Sequence, residues 1–248
     1  MHAMATVTDK ALCIRQWDFS ETSQTVSLFA RDIGLFRAIA KGSRRPKSRF
    51  SGGIDLLTMG DVVAIIKPGR DLATLTEWGL SRVWWRIRGD VASNRIAYFI
   101  SDCASRMLDQ QDPHPGVFDG LVKALDQIER GVSKQIVLSE FLWLLLVDVG
   151  YRPRFDEGLD EAADPGSVLF SPSEGRLVQG PDGPGRWRVR SSTIRFLQSL
   201  ESGPNTEETD LEAAGRASRL LAAYLREILG SEPPTLGLVF PDLAGGRV

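Results

Sequence analysis

The stretch Gln24-Thr-Val-Ser-Leu-Phe-Ala-Arg-Asp-Ile-Gly-Leu-Phe-Arg-Ala-Ile-Ala-Lys41 sets the reading of the N-terminal region. It is apolar and β-branched on both sides of Arg31-Asp-Ile-Gly34, and a glycine at position 34 supplies the positive φ that a tight hairpin needs. Two strands are therefore predicted, Gln24–Ala30 and Leu35–Lys41. Working outward, Ala11–Trp17 precedes this hairpin, and Val62–Lys67 and Leu72–Leu80 follow it, the last two joined by the turn Pro68-Gly-Arg-Asp71. A hairpin, an excursion and a second hairpin fit a small closed barrel of the oligonucleotide-binding (OB) type, with a long connection after the third strand. A five-stranded SH3-like barrel produces much the same pattern.

Beyond Asp90 the apolar residues recur at three and four. Helices are predicted over Asn94–Leu108, Gly116–Arg130, Ser133–Val149, Ser191–Leu200 and Thr209–Leu229. Ser133 is placed to cap the third, which Gly150 and Pro153 then stop. This helix is apolar around most of its circumference, which makes it the central one. Tyr151–Val189 is rich in Gly, Pro and Asp and holds two strand-like pieces, Ser167–Ser171 and Arg176–Gln179; a small β-excursion and a mobile loop both fit it. Pro233-Pro234 is read as closing the last helix. The expected architecture is α+β and multidomain: a five-stranded barrel over residues 1–88, then a helical bundle over 89–248 with 151–189 inserted.

The composition sets limits on function. A chain of 248 residues, 42% hydrophobic, has enough apolar material for packed cores. Cys13 and Cys103 have no CxxC spacing, so neither a disulfide framework nor a thiolate zinc site is suggested. The apolar run Phe141–Val147 falls far short of the roughly 20 residues of a membrane span. Met1-His2-Ala3-Met4 lacks the pattern of a secretory signal, so a cytoplasmic protein is expected. The net charge of −2 hides an asymmetry. Residues up to Arg88 carry 14 Lys+Arg against 8 Asp+Glu, and the remainder carry 16 against 24, which suggests a basic N-terminal part on an acidic body.

Within the basic part, Arg37, Lys41, Arg44, Arg45, Lys47 and Arg49 place six cations in the 14 residues Arg37–Phe50 without one acid. Gly42, Ser43, Pro46, Ser48, Ser51, Gly52 and Gly53 make the stretch a loop whose backbone can follow an irregular polyanion. Phosphates fit best, since each neutralised phosphate releases a counterion. Phe50, with Phe36 and Trp17 on neighbouring strands, offers faces for unpaired bases; aromatics beside barrel strands also serve as core. The alternatives for the loop are a solvated basic surface, a phosphoinositide contact or an acidic-protein contact.

No catalytic set emerges. His2 is terminal and His114 stands between Pro113 and Pro115, a poor place to hold a base. Gly180-Pro-Asp-Gly-Pro-Gly185 lacks the Lys-Ser/Thr of a phosphate-binding loop. Asp156–Asp164 lacks the ligand spacing and central glycine of an EF-hand. Trp84 and Trp85, with Arg82, Arg86 and Arg88, either wedge the domains together or extend a path for a strand. In the last helix, Arg216, Arg219 and Arg226 fall on one side, where they could receive an acidic, apolar-ended peptide; solvated cations on a free face are the plainer reading.

Several of these segments also resemble the bacterial RecO family of recombination-repair proteins. They are Glu21-Thr-Ser, Phe29-Ala-Arg-Asp-Ile-Gly34 and Ala40-Lys-Gly-Ser-Arg-Arg-Pro-Lys-Ser-Arg-Phe50, followed by Asn94–Asp102, Leu146-Val-Asp-Val-Gly-Tyr151 and Arg219–Gly230. The resemblance implies a non-enzymatic mediator of the RecF pathway that binds single-stranded DNA, and duplex as well. It also implies contacts with RecR and the C-terminal tail of the single-stranded-DNA-binding protein, loading of RecA, strand annealing and a place at the nucleoid. By position, Lys41, Arg44, Arg45, Lys47 and Arg49 inherit the DNA-contacting role. Many family members carry four cysteines around the β-excursion and bind zinc; here those places read Phe155-Asp-Glu-Gly158 and Val178-Gln-Gly180, so no metal or other cofactor is expected. The competing function from another class is an RNA-binding OB module of translation or RNA processing, and the third is a pure protein adaptor.

Overall fold

The computed structural model describes residues 5–50, 52–67, 69–155, 167–201 and 210–245. His2, Ser51, Pro68 and the acidic stretch Asp156–Asp164 lie outside them. Two compact units are formed, Met1–Glu129 and Arg130–Val248.

In the first unit, β1 (Ala5–Ser20), β2 (Ser23–Ala30), β3 (Gly34–Ala40), β4 (Thr58–Ile66) and β5 (Leu72–Val83) close a barrel in the order β1-β2-β3-β5-β4. All pairings are antiparallel except β3 with β5, where Arg37 stands opposite Leu72 and Ala40 opposite Leu75. This strand order is that of the OB barrel and settles the choice against the SH3-like alternative. Strand alternation turns Ala11, Cys13, Val26, Leu28, Phe36, Ala38, Val62, Ala64 and Leu75 inward around Trp78. Small residues on several strands make room for the indole. At Gly60 a Cβ would lie 2.6 Å from the Trp78 ring, so only glycine fits. Gly34 has φ +84° and a Cβ there would meet the Asp112 carbonyl at 2.2 Å, so the predicted hairpin turn is also a point of close backbone approach.

β1 runs well past the predicted Ala11–Trp17 at both ends, because its N-terminal half pairs with β4 from Ala5 opposite Ile66 to Leu12 opposite Met59. Helices α1 (Trp85–Gly89), α2 (Val91–Met107) and α3 (Pro115–Arg130) complete the unit. Asp90 caps α2 by accepting the Ser93 N–H at 2.7 Å. Helix and barrel are joined by Phe29 edge-on to Phe118 at 5.6 Å, Arg15 to Asp102 at 2.6 Å, and Arg31 to Asp119 at 2.8 Å. Trp84 is buried and its Nε1 donates to Asp126 of α3 at 2.7 Å, a contact within the first unit.

In the second unit, α4 (Lys134–Asp148) is the buried central helix and packs against α6 (Leu211–Leu229). Ser133 stands at its N-cap position without a side-chain cap bond; the hydroxyl meets Gln135 instead. The β-excursion is a sheet in the order β7-β6-β8, made of β6 (Ser167–Ser171), β7 (Arg176–Val178) and a third strand, β8 (Trp187–Arg190), that leads into α5 (Ser191–Ser199). Aromatic packing holds it to the helices. Phe155 stacks on Trp143 at 6.0 Å, Phe170 lies 6.0 Å from Phe155, and Tyr224 meets Phe170 edge-on at 5.4 Å. The chain continues beyond Pro233-Pro234 into a short α7 (Leu236–Val239) whose Leu236 is buried.

Candidate nucleic-acid interface

Residues Lys41–Leu57 connect β3 to β4 and carry five of the six predicted cations. The loop is pinned at several points. Gln24, buried on β2, donates through Nε2 to the Ile54 carbonyl at 3.0 Å, and its Oε1 accepts the Ile54 N–H at 3.0 Å and the Ser43 hydroxyl at 2.9 Å. The Arg44 N–H donates to the Thr22 carbonyl at 3.2 Å, and the Trp78 N–H to the Arg49 carbonyl at 2.9 Å. Its backbone is thus tied to the β1–β2 hairpin at one side and to β5 at the other.

All six cations, Arg37, Lys41, Arg44, Arg45, Lys47 and Arg49, are exposed. Arg44 pairs with Asp18 at 2.5 Å and Arg49 with Glu77 at 2.6 Å. Exposed pairs of this kind contribute about 0–1 kcal/mol, so either arginine can exchange its carboxylate for a phosphate. Among the described residues Lys41, Arg45 and Lys47 have no carboxylate partner. Arg37 lies outward on β3 with its guanidinium 5.7 Å from the Trp17 ring.

The aromatic part of the predicted site is rearranged. Phe50 is 5% exposed and Phe36 is 2%, both inside the barrel core, so neither offers a face to a base. Phe50 is therefore corrected from a contact residue to the residue that anchors the loop. Trp17 is 45% exposed and keeps its face. Two further exposed apolar side chains were not assigned to the site from sequence, Phe19 beside Asp18 and Leu80 near the end of β5, while Trp85 at the start of α1, weighed from sequence as a wedge or as an extension of the strand path, is exposed and lines the same groove as Leu80 and Arg44. The tandem Trp84-Trp85 was the available signal: Trp84, before α1, is buried, and Trp85, its first residue, is exposed.

The arginines proposed to receive a peptide tail are engaged. Arg216 bonds Glu212, Thr193 at 3.0 Å and Ser192 at 3.1 Å, and Arg219 pairs with Asp242. Arg226 has a side chain only 9% exposed and donates to the Leu243 carbonyl at 2.7 Å. It is a structural residue, and the helical spacing that grouped it with the other two does not make it accessible. Burial also decides the thiols. The Cys13 pKa is pushed up to about 12 and that of Cys103 well above its ordinary value, in each case chiefly by desolvation. Among the described residues no cluster of His, Cys, Asp or Glu is arranged to hold a metal ion, and no helix is long and apolar enough to cross a membrane.

A closed OB barrel with a pinned, cation-rich loop, continued into a helical unit, defines the class. Residues 4–84 match the family described as Recombination protein O N terminal, and residues 88–236 match Recombination protein O C terminal. The chain is 30% identical over 184 residues to a DNA repair protein RecO of Salinibacter ruber, covering 73% of this chain and 71% of that one. It is 37% identical over 145 residues to the RecO of Rhodopirellula baltica, covering 58% and 53%, and 29% identical over 169 residues to that of Bacillus cereus, covering 68% and 67%. The chain belongs to the RecO family of recombination and DNA-repair proteins.

Proposed function

We propose that this protein is a non-enzymatic mediator of recombinational repair that binds single-stranded DNA through the β3–β4 loop. Its place is in the RecF pathway, where it engages RecR and the tail of the single-stranded-DNA-binding protein and promotes RecA loading and annealing. The observation that carries the reading is the concentration of six exposed cations beside an OB barrel end, four of them (Arg37, Lys41, Arg45 and Lys47) without a carboxylate partner among the described residues. Backbone contacts of this type position a strand without reading its sequence, as a mediator acting along the chromosome requires. Family membership supports the same conclusion, and the relatives carry the name DNA repair protein.

Arg37, Lys41, Arg44, Arg45, Lys47 and Arg49 are assigned to phosphates. Contacts with duplex DNA use the same cations. For the partner tail, Arg216 and Arg219 remain the proposed contacts on α6, reached by exchange of Glu212 and Asp242 for the acidic end of the peptide; Arg226 is withdrawn from that set. The domain division proposed, by chain segment, is a barrel over 1–88 and a helical domain over 89–248, whose first helices α2 and α3 (up to Glu129) pack in the same compact unit as the barrel. The test is annealing of complementary strands coated with the cognate single-stranded-DNA-binding protein. Acceleration by this protein, lost on neutralising the loop, is the expected result. No acceleration and no salt-sensitive binding would refute the reading.

A further inference from the structure

Beside the basic loop lies an open groove of about 410 Å³ at the end of the barrel, bordered by Arg44, Gly53, Asp55, Leu80, Trp85 and Arg88. Trp85 leaves 71% of its surface in water, the most exposed large apolar side chain among the described residues. Burying an indole is worth a few kcal/mol, so a ring left this open is a cost the fold does not recover internally. Nor is the ring loosely tethered. Its neighbour Trp84 is locked to Asp126, and the N–H groups of Trp85 and Arg86 donate to the Glu129 carboxylate at 3.1 and 2.9 Å. The backbone carrying the ring is therefore fixed on both sides of it.

The groove differs from the loop in its electrostatics. Arg88 is neutralised by Asp55 at 2.7 Å and also donates to the Leu56 carbonyl at 3.2 Å, while Arg44 is shared with Asp18. Charge inside the groove is close to balanced, and its lining adds the Trp85 indole, Leu80 and glycine backbone to the neutral polar side chains of Gln16, Gln24 and Thr58. Such a surface suits a flat, neutral, partly polar group better than a phosphate. Arg44 belongs both to this groove and to the cationic loop, so a strand held by the loop brings its bases to the mouth of the groove. We propose that the groove takes one unpaired nucleobase, stacked on Trp85, from the strand whose phosphates lie on Lys41–Arg49. The inference rests on the DNA-binding reading above and adds to it a residue that distinguishes unpaired from paired strands.

The experiment titrates the full-length protein with an oligo-dT strand and with a blunt duplex of equal length across a salt series, comparing wild type, Trp85→Ala and Trp85→Phe. Loss of one base–aromatic stack corresponds to roughly 5- to 150-fold in affinity. Trp85→Ala should lose that much for the single strand, keep the wild-type salt slope and bind the duplex as wild type does. Trp85→Phe should recover most of the loss, and the wild-type indole emission should be quenched by the single strand in a way the alanine variant does not show. Equal affinity of wild type and Trp85→Ala for the single strand, with normal salt dependence, would overturn the groove while leaving the loop reading intact. Equal losses for strand and duplex would also overturn it. Absence of salt-dependent binding by wild type would remove the loop reading and this inference with it.

Discussion

The β3–β4 loop and helix α6 both present arginines within a few residues of one another, and the structure treats them in opposite ways. On the loop, glycines and serines give short backbone connections, and the side chains extend from a frame pinned by Gln24 and Phe50, with Lys41, Arg45 and Lys47 outside any ion pair among the described residues. On α6, Arg216 is held by three neighbours, Arg219 by Asp242, and Arg226 is buried against the Leu243 carbonyl. Cation density alone thus does not define a binding surface. What matters is whether the cations stay exposed, either unpaired or in pairs open enough to exchange, as on the loop, or are buried in their partners as Arg226 is.

The sharpest way to break this contrast is to attack the frame. Phe50→Ala opens a cavity in the barrel core and should cost about 3–5 kcal/mol of stability, seen as a lower denaturant midpoint. It should also release the loop and weaken DNA binding, although Phe50 itself touches no ligand. A variant with wild-type stability would mean that the loop is not anchored there.

Arg226→Ala addresses the other side. Removing a buried hydrogen-bonded arginine leaves the Leu243 carbonyl without its donor, at a cost of about 1–3 kcal/mol. The melting temperature should fall while oligonucleotide and tail affinities stay unchanged. A weaker tail affinity at unchanged stability would restore Arg226 to the recognition surface. Single removal of an unpaired loop cation is a smaller effect. Arg45→Ala should lower the slope of log K against log salt by about 0.7 for single strands, with no change in stability.

Arg219→Glu places like charges beside Asp242 and should cost about 0–1 kcal/mol in stability, while reducing the affinity for the partner-tail peptide and leaving DNA affinity as it was. Unchanged tail affinity would take α6 out of the partner surface. The smallest effect concerns pH. Arg31 hydrogen-bonds Asp119 and holds its carboxyl below the usual carboxylate range. Because the folded pKa is depressed, the tie between the β2–β3 turn and α3 is complete above the ordinary carboxylate pKa and lost as pH falls through the lower folded value. Hydrogen-exchange protection factors in the turn, taken relative to the intrinsic exchange rate at each pH, should fall only at acid pH, and in Asp119→Asn they should lose this dependence.

Much of this was legible in the sequence. The five strands follow from alternation and turn residues, and Gly34 marked the hairpin because glycine takes its positive φ without strain. Strand ends were less legible: Thr6, Thr8 and Lys10 carry no apolar signal, and their pairing with β4 depends on a partner some 50 residues away. β8 was missed because Trp187-Arg-Val-Arg190 is short and follows a Gly-Pro-rich turn, although its alternation is that of a strand. The cations of the site were visible, since charge survives folding as exposure. The role of Phe50 was not, and the choice between wedge and strand path for Trp84 and Trp85 stayed open, because hydrophobicity does not tell which of several aromatics fills the core. Arg226 was misassigned for a related reason: its acceptor, the Leu243 carbonyl, is supplied by backbone 17 residues further along.

The most direct test of the central claim is the salt dependence of single-strand binding with Lys41, Arg44, Arg45, Lys47 and Arg49 all changed to alanine. With about 0.7 per phosphate contact, the slope should flatten by up to about 3.5 units and the affinity at low salt should fall by orders of magnitude, in a protein that melts as wild type does. A slope equal to that of wild type would contradict the account.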